Sequence, residues 1–165
     1  MTWPTDLEIF TLAKPLIKAS EGYSAKPYLC PAGVATIGWG STRYPNGRRV
    51  AMQDSEIESS WAEACLTSAM VRVRADLQKI IKRTPNTNQA AARLSLAYNV
   101  GVGARDGVKG DLADSTLLQH FEAGDDAKAA DAFLDWNKAR VSGVLQPLGG
   151  LTKRRKAERE LFLKP

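Results

Sequence analysis

The sequence predicts an α+β fold of two lobes, a small N-terminal sheet lobe joined by one long helix to a helical lobe. Three observations predict it. Turn-forming residues crowd positions 22–50, where Gly22, Gly33, Gly38, Gly40 and Gly47 mix with Pro27, Pro31 and Pro45 around short β-prone runs such as "VATIGW". From Asp54 onward, Ile57, Trp61, Leu66, Met70, Val73, Leu77 and Ile80 recur at helical steps for almost thirty residues. The remainder breaks into shorter helical stretches separated by glycine-bearing segments.

The elements follow in order. Residues 5–20 place Leu7, Ile9, Phe10, Ala13, Leu16 and Ile17 close to one stripe, with Thr5 or Asp6 as N-cap. Pro15 is expected to kink or interrupt that helix, because it lacks an N–H and crowds the preceding turn. A twisted hairpin sheet is expected over about 22–50, with "YPNGRR" as one of its turns. The linking helix spans about 54–83, and Pro85 lies beyond its end. The helical lobe, about 88–165, holds segments at Asn88–Asn99, Ser115–Ala123, Asp125–Asn137 and Leu151–Leu163. "GVGARDGVKGD" and "VSGVLQPLGG" read as loops between them. No repeat or low-complexity tract is visible. The chain of 165 residues is expected to form a single domain, 1–165. That length buries a core without disulfides.

Composition narrows the function. A hydrophobic share of 44% beside 25% charged residues is globular and argues against disorder. The net charge of +5 favours an anionic partner, whether nucleic acid, phospholipid headgroup or acidic wall polymer, without choosing among them. Cys30 and Cys65 are too few for a disulfide framework, lack zinc spacing and read as two reduced thiols. His120 is the sole histidine, so neither a His-rich metal site nor a Ser–His–Asp triad is supported. No cofactor and no metal are expected. Asp6 and Glu8 precede the first apolar run, and Lys14 and Lys18 interrupt it. The N-terminus therefore reads as neither signal peptide nor membrane span, and no stable membrane insertion is expected.

The chemistry concentrates in "EGYSAKPYLCPAGVATIGWG". Glu21, Cys30 and Thr36 sit there among glycines, prolines and aromatics. A cleft between a sheet lobe and a helical lobe would suit an extended polymer. Glu21 falls where the first helix ends, beside Tyr23, Tyr28 and Trp39. In an apolar, water-poor pocket a carboxylic acid resists ionisation and can protonate a glycosidic oxygen. A glutamate at a helix end is also what a solvated surface group looks like, and spacing alone does not separate the two. Cys65, on the apolar stripe of the long helix, reads as core. Trp61, Phe121, Phe133, Trp136 and Phe162 read as packing. "KRRKAERE" reads as a solvated helix face with pairs such as Lys156–Glu160 at i,i+4.

Glu21, eight residues, Cys30, five residues, Thr36 and then "IGWG" resembles the catalytic signature of the phage-type lysozymes, glycoside hydrolase family 24. The resemblance continues through "NQAAARLSLAYNVGVGA", "DSTLLQHFEAGD", Asp135–Trp136 and "GGLTKRRKAERELF", nearly the whole chain in family order. It implies a lysozyme-like fold and a muramidase of endolysin type. Such an enzyme cleaves the β-1,4 bond between N-acetylmuramic acid and N-acetylglucosamine in peptidoglycan.

By the same resemblance Glu21 is the general acid and Thr36 helps hold the attacking water. Cys30 stands where many members carry aspartate. Gly38 and Gly40 let the backbone approach the sugar chain, and Tyr23 and Trp39 line the groove. Arg154 or Arg155 faces the cleft as a substrate-binding residue. Ser41 replaces a histidine common in the family. The expected protein is a monomer made in the host cytoplasm, without a nucleic-acid partner, reaching the wall through a holin lesion.

Cys30 is the main departure. A free thiol has a pKa of about 8.5 against about 3.9 for aspartate, so the substitution weakens a base unless neighbours lower its pKa. Lys26 or Arg43 are the candidates to do so. General base, covalent nucleophile and water-orienting group all stay open, as does a small buried hydrophobe. The stereochemical outcome stays open with them. Two other functions compete: a lytic transglycosylase, which closes a 1,6-anhydro ring without water, and a non-catalytic basic module binding wall or nucleic acid.

Overall fold

Thr5 starts the first helix. Its hydroxyl accepts from the Glu8 N–H at 3.3 Å, and its own N–H donates to the Glu8 carboxylate at 2.8 Å. This capping box satisfies two backbone donors of helix α1, Asp6–Glu21. In the computed structural model, which describes residues 2–104 and 111–165, α1 runs through Pro15 without the expected interruption. Pro15 is exposed, so the carbonyl its missing N–H leaves free can be hydrated.

Beyond Glu21 the chain turns at Gly22 and forms strands β1 (Ser24–Leu29) and β2 (Ala35–Gly38), paired antiparallel. Tyr28 faces Thr36, and Leu29 faces Ala35. Cys30 and Val34 close the connection. The Gly33 N–H donates to the Cys30 carbonyl at 2.8 Å and the Cys30 N–H to the Val34 carbonyl at 3.0 Å. With Pro31 first in the loop and Gly33 at φ +74°, this is the three-residue hairpin loop in which a glycine takes the left-handed position. The "YPNGRR" turn also forms, with bonds of 2.9 Å from Tyr44 N–H to the Arg48 carbonyl and from Gly47 N–H to the Tyr44 carbonyl.

Helix α2 spans Ser59–Ile80 and begins later than its periodicity suggests. Asp54 accepts from the Ala51 N–H, the Tyr44 hydroxyl and Arg48, while the Ile57 N–H donates to the Ala25 carbonyl. These bonds commit 54–58 to the sheet unit's loop rather than to the helix. Helix α3, Thr87–Val100, opens with a reciprocal Asn86–Gln89 cap, and α4, Thr116–Glu122, with Ser115. The single helix expected over Asp125–Asn137 is α5, Asp126–Asp131, followed by a 3-10 helix at Ala132–Trp136. Of the expected loop "GVGARDGVKGD", residues 105–110 lie outside the described residues.

"VSGVLQPLGG" is not a plain loop. It carries most of a hairpin of β3 (Lys138–Val141) and β4 (Val144–Pro147), and it leads into α6, Gly149–Phe162. Ser142 and Gly143, at φ 50° and 83°, make the two-residue turn that fits strand twist. The fold is α+β, as the sequence predicts.

The chain divides into two compact units, Ile17–Arg72 and a second built from Met1–Leu16 with Val73–Pro165. In the first, Ile37, Tyr44, Val50 and Cys65 form a buried cluster on which Ala35 and Ile57 pack. Cys65 is core, as expected, and a free thiol. In the second, α3 packs on α6, and Phe121, Phe133 and Phe162 are buried against one another.

Two surface assignments change. Trp61 is 49% exposed rather than packed. The "KRRKAERE" face is not simply solvated, since Arg155 and Glu158 are 0% exposed. Both guanidiniums reach the Glu158 carboxylate, Arg154 Nε at 3.1 Å and Arg155 Nη2 at 2.8 Å, and the Ser95 hydroxyl donates to it at 2.6 Å. Burial of three charges is tolerated because each is bonded.

Candidate active site

Glu21 is the last residue of α1 and is half-buried. Gly40, at φ +82°, passes so close that a Cβ there would stand 3.2 Å from Glu21 Oε2 and 3.4 Å from Cδ. Gly38, at φ +63°, is equally tight against Ala62 of α2, at 3.1 Å. The close approaches these glycines allow are therefore to the carboxylate and to α2. Beside Glu21, the Tyr23 and Trp39 rings lie 4.9 Å apart at 47°, and Lys18 Nζ sits 4.2 Å from the Trp39 ring centre. Lys18 also pairs with Glu63. Tyr23 is 48% exposed, so an aromatic surface open to a ligand adjoins the acid.

Cys30 follows β1, and its thiol is partly exposed. Hydrogen bonding to the backbone N–H of Val34 holds the thiol below its ordinary pKa. Partial burial opposes this, and the Ala32 amide and Thr36 hydroxyl add to it. The expected cations do not appear among these causes. Lys26 lies 3.8 Å from Glu56, and Arg43 Nη1 donates to the Gly47 carbonyl at 2.9 Å. The hairpin loop itself turns its amides to the sulfur and favours the thiolate as an anion-binding concavity does. Thr36 is buried, and its hydroxyl reaches the Val34 carbonyl at 2.9 Å.

Tyr28 links acid and thiol. Burial pushes its phenol up, and the nearby charges of Glu21 and Cys30 push it further. Glu21 thus ends α1, and Tyr28, Cys30 and Thr36 sit on the hairpin that follows it, with Tyr28 opposite Thr36. Sequence reasoning named Tyr28 only as an aromatic neighbour. Its place opposite Thr36 in the strand register is what gives it a part. The amides of Ala32 and Val34 have no side-chain signature, and only the Pro31–Gly33 turn could have signalled them.

Arg154 belongs to the helical unit and is 5% exposed. Besides Glu158 it donates to the Ser95 carbonyl at 2.9 Å through Nη2, and Arg155 donates to Asn99 Oδ1 at 3.1 Å. Arg154, expected to face the cleft and bind substrate, has its guanidinium bonded to Glu158 and Ser95 within that unit. No group of three or more metal-ligating side chains occurs among the described residues. No helix among them is long and apolar enough to cross a membrane.

Comparison with known proteins gives the same answer from a different direction. The chain is 40% identical to the endolysin of Acyrthosiphon pisum secondary endosymbiont phage 1 over 147 residues, 89% of this chain and 92% of that protein. It is 37% identical to the endolysin of Bacillus phage B103, where it spans about half (51%) of the relative's length. The structure of the endolysin from Escherichia coli O157:H7 phage FAHEc1 superposes with a TM-score of 0.78 at 30% identity, covering 99% of this chain and 94% of that one. The phage lysozyme profile matches residues 18–158, a span that includes Glu21, Cys30 and Thr36, and the chain belongs to the phage lysozyme family.

Proposed function

We propose that this protein is an endolysin that hydrolyses the β-1,4 bond between N-acetylmuramic acid and N-acetylglucosamine in peptidoglycan. The support for the reading is that Glu21, held against Gly40 at the end of α1, is followed directly by the hairpin that carries Cys30 and Thr36, with Tyr28 opposite Thr36 in its register. A glycosidase pairs an acid with a second group that acts as base or nucleophile, and a thiol that favours its anion can take that second part.

In this reading Glu21 gives its proton to the leaving glycosidic oxygen as the C–O bond breaks. Tyr23 and Trp39 hold the sugar beside it. A water held by the Thr36 hydroxyl attacks the anomeric carbon, and the Cys30 thiolate takes its proton. Glu21 ends as carboxylate and Cys30 as thiol, and exchange with solvent restores the starting forms. Gly40 keeps the carboxylate in place. The protein acts as a monomer and reaches the wall after a membrane lesion made by a holin.

The test joins one variant with product analysis. Glu21→Gln should fold and bind wall normally but lose lysis by at least about 10²-fold, the usual worth of general acid catalysis. Wild-type digests should carry reducing muramic acid ends. Mass spectra dominated by 1,6-anhydro termini would make the enzyme a transglycosylase, and full lysis by Glu21→Gln would remove the assigned acid.

A further inference from the structure

The sheet unit carries a concave surface that the catalytic reading leaves without a task. Asn46, Arg48, Gln53, Ser55, Ile57 and Trp61 line a groove of about 450 Å³, within the range of about 300–1,000 Å³ typical of ligand sites. Trp61, at the start of α2, leaves almost half its surface in solvent and makes no ring contact or side-chain hydrogen bond among the described residues. Tryptophan, with an apolar face and a polar N–H, is enriched at binding interfaces where one side is apolar and the other wet.

The floor of the groove is preorganised. The Tyr44 ring is buried, and its hydroxyl donates to Asp54 Oδ2 at 3.0 Å. Asp54 also accepts from the Ala51 N–H at 2.8 Å and from Arg48 Nη1 at 3.0 Å, and the Arg48 guanidinium lies 4.5 Å from the Tyr44 ring centre. Above it, Asn46, Gln53 and Ser55 are exposed and offer amides and a hydroxyl, groups that both donate and accept.

This chemistry selects a class of ligand. Asp54 and Glu56 line the groove along with Arg48, so it offers no net positive field for a phosphate polymer. A pyranose ring has an apolar C–H face that an indole covers, and a rim of hydroxyl and acetamido groups that neutral amides satisfy. The groove also adjoins the catalytic strip. The Tyr23 hydroxyl reaches the Ile57 carbonyl at 3.5 Å, and the Tyr23 ring packs on Trp39.

We propose that this groove is an accessory glycan subsite that seats an N-acetylated pyranose against Trp61, extending the enzyme's grip on the wall polymer. The proposal rests on the muramidase reading for the identity of that polymer.

The experiment uses the full chain with Glu21→Gln, so that the wall is not consumed, and measures co-sedimentation with purified peptidoglycan. Adding Trp61→Ala should weaken binding by about tenfold or more, as loss of a tryptophan anchor does, and Trp61→Phe should restore most of it. In the otherwise unaltered enzyme, Trp61→Ala should raise KM on peptidoglycan and leave kcat unchanged. Titration with chitotriose should shift the Trp61 indole resonance. If Trp61→Ala fails to fold, paired Gln53→Ala and Ser55→Ala substitutions put the same question. Undiminished wall binding, or an unchanged KM, would overturn the subsite. A failure of the muramidase reading would show separately, as lysis surviving Glu21→Gln whatever stands at 61.

Discussion

Glu21 rests against Gly40: a Cβ at position 40 would stand 3.2 Å from the carboxylate oxygen. Gly40→Ala therefore adds two effects, a side chain forced to φ +82° and a push on the proton donor. Strain of that kind costs about 1–3 kcal/mol, and a displaced catalytic group can cost up to about 10²-fold in rate. Gly47→Ala separates the two, since Gly47 has φ +87° with nothing within 4 Å. Both variants should melt earlier, and only Gly40→Ala should lose kcat beyond its loss of folded protein. Equal kcat in the two would refute the positioning role.

Cys30 should behave as an aspartate substitute. Cys30→Asp should retain substantial lysis, and Cys30→Ala should lose about 10²-fold or more. Because amides favour its anion, iodoacetamide should inactivate the enzyme with a pH midpoint below the ordinary thiol value of about 8.5. Burial pushes Cys65 the other way, so it should resist alkylation in the native protein. Full lysis by Cys30→Ala would leave the chemistry to Glu21 and a water on Thr36.

Glu158 should matter to stability more than its surface-like sequence context suggests. Glu158→Gln leaves two buried guanidiniums without their counter-charge, and breaking a buried pair costs about 3–5 kcal/mol. Urea unfolding reads this directly. A loss under about 1 kcal/mol would mean that water reaches the triad.

Asp126 gives an acid-sensitive increment. Arg83 grips its carboxylate through both nitrogens, Nη2 at 3.0 Å, and Gln89 adds a bond of 3.0 Å. Arg83 first holds the carboxyl below the usual range. The folded protein thus binds fewer protons here than the unfolded chain, whose aspartate titrates near 3.9. The increment is present above that pH and lost as pH falls through the lowered folded pKa. Since each side chain is more than a third exposed, solvent screening limits it to about 1 kcal/mol. Asp126→Asn should lower Tm at neutral pH by about 2–4 °C, with the gap closing below about pH 4. A gap constant with pH would refute the linkage.

What the sequence made legible follows from local physics. The α2 stripe, the Thr5 cap and the "YPNGRR" turn depend on residues a few positions apart, and all three formed. The start of α2 did not, because Asp54 is claimed by Tyr44, Arg48 and Ala51 rather than by its own helix. The β3–β4 hairpin is hidden in the sequence because β4 is exposed throughout and β3 nearly so, leaving little inside–outside alternation to read. The sequence presents Arg154 and Arg155 as part of a solvated or cleft-facing helix surface, since a pattern of charges does not reveal that Glu158 neutralises them from the same helix. In the candidate site, spacing alone leaves Glu21 ambiguous, and it is the resemblance to the lysozyme signature that singles out Glu21, Cys30 and Thr36. The loop amides that tune the thiol are not legible, because every residue carries one.

Thr36 has a single hydrogen and two takers, the Val34 carbonyl and the Cys30 sulfur. The carbonyl already receives the Cys30 N–H, so it can release the hydroxyl without being left bare. A turn about one C–O bond would let that hydrogen follow the charge as the sulfur passes from resting thiolate to thiol and back. A hydroxyl turning in this way would lower the reorganisation needed each time the sulfur changes charge.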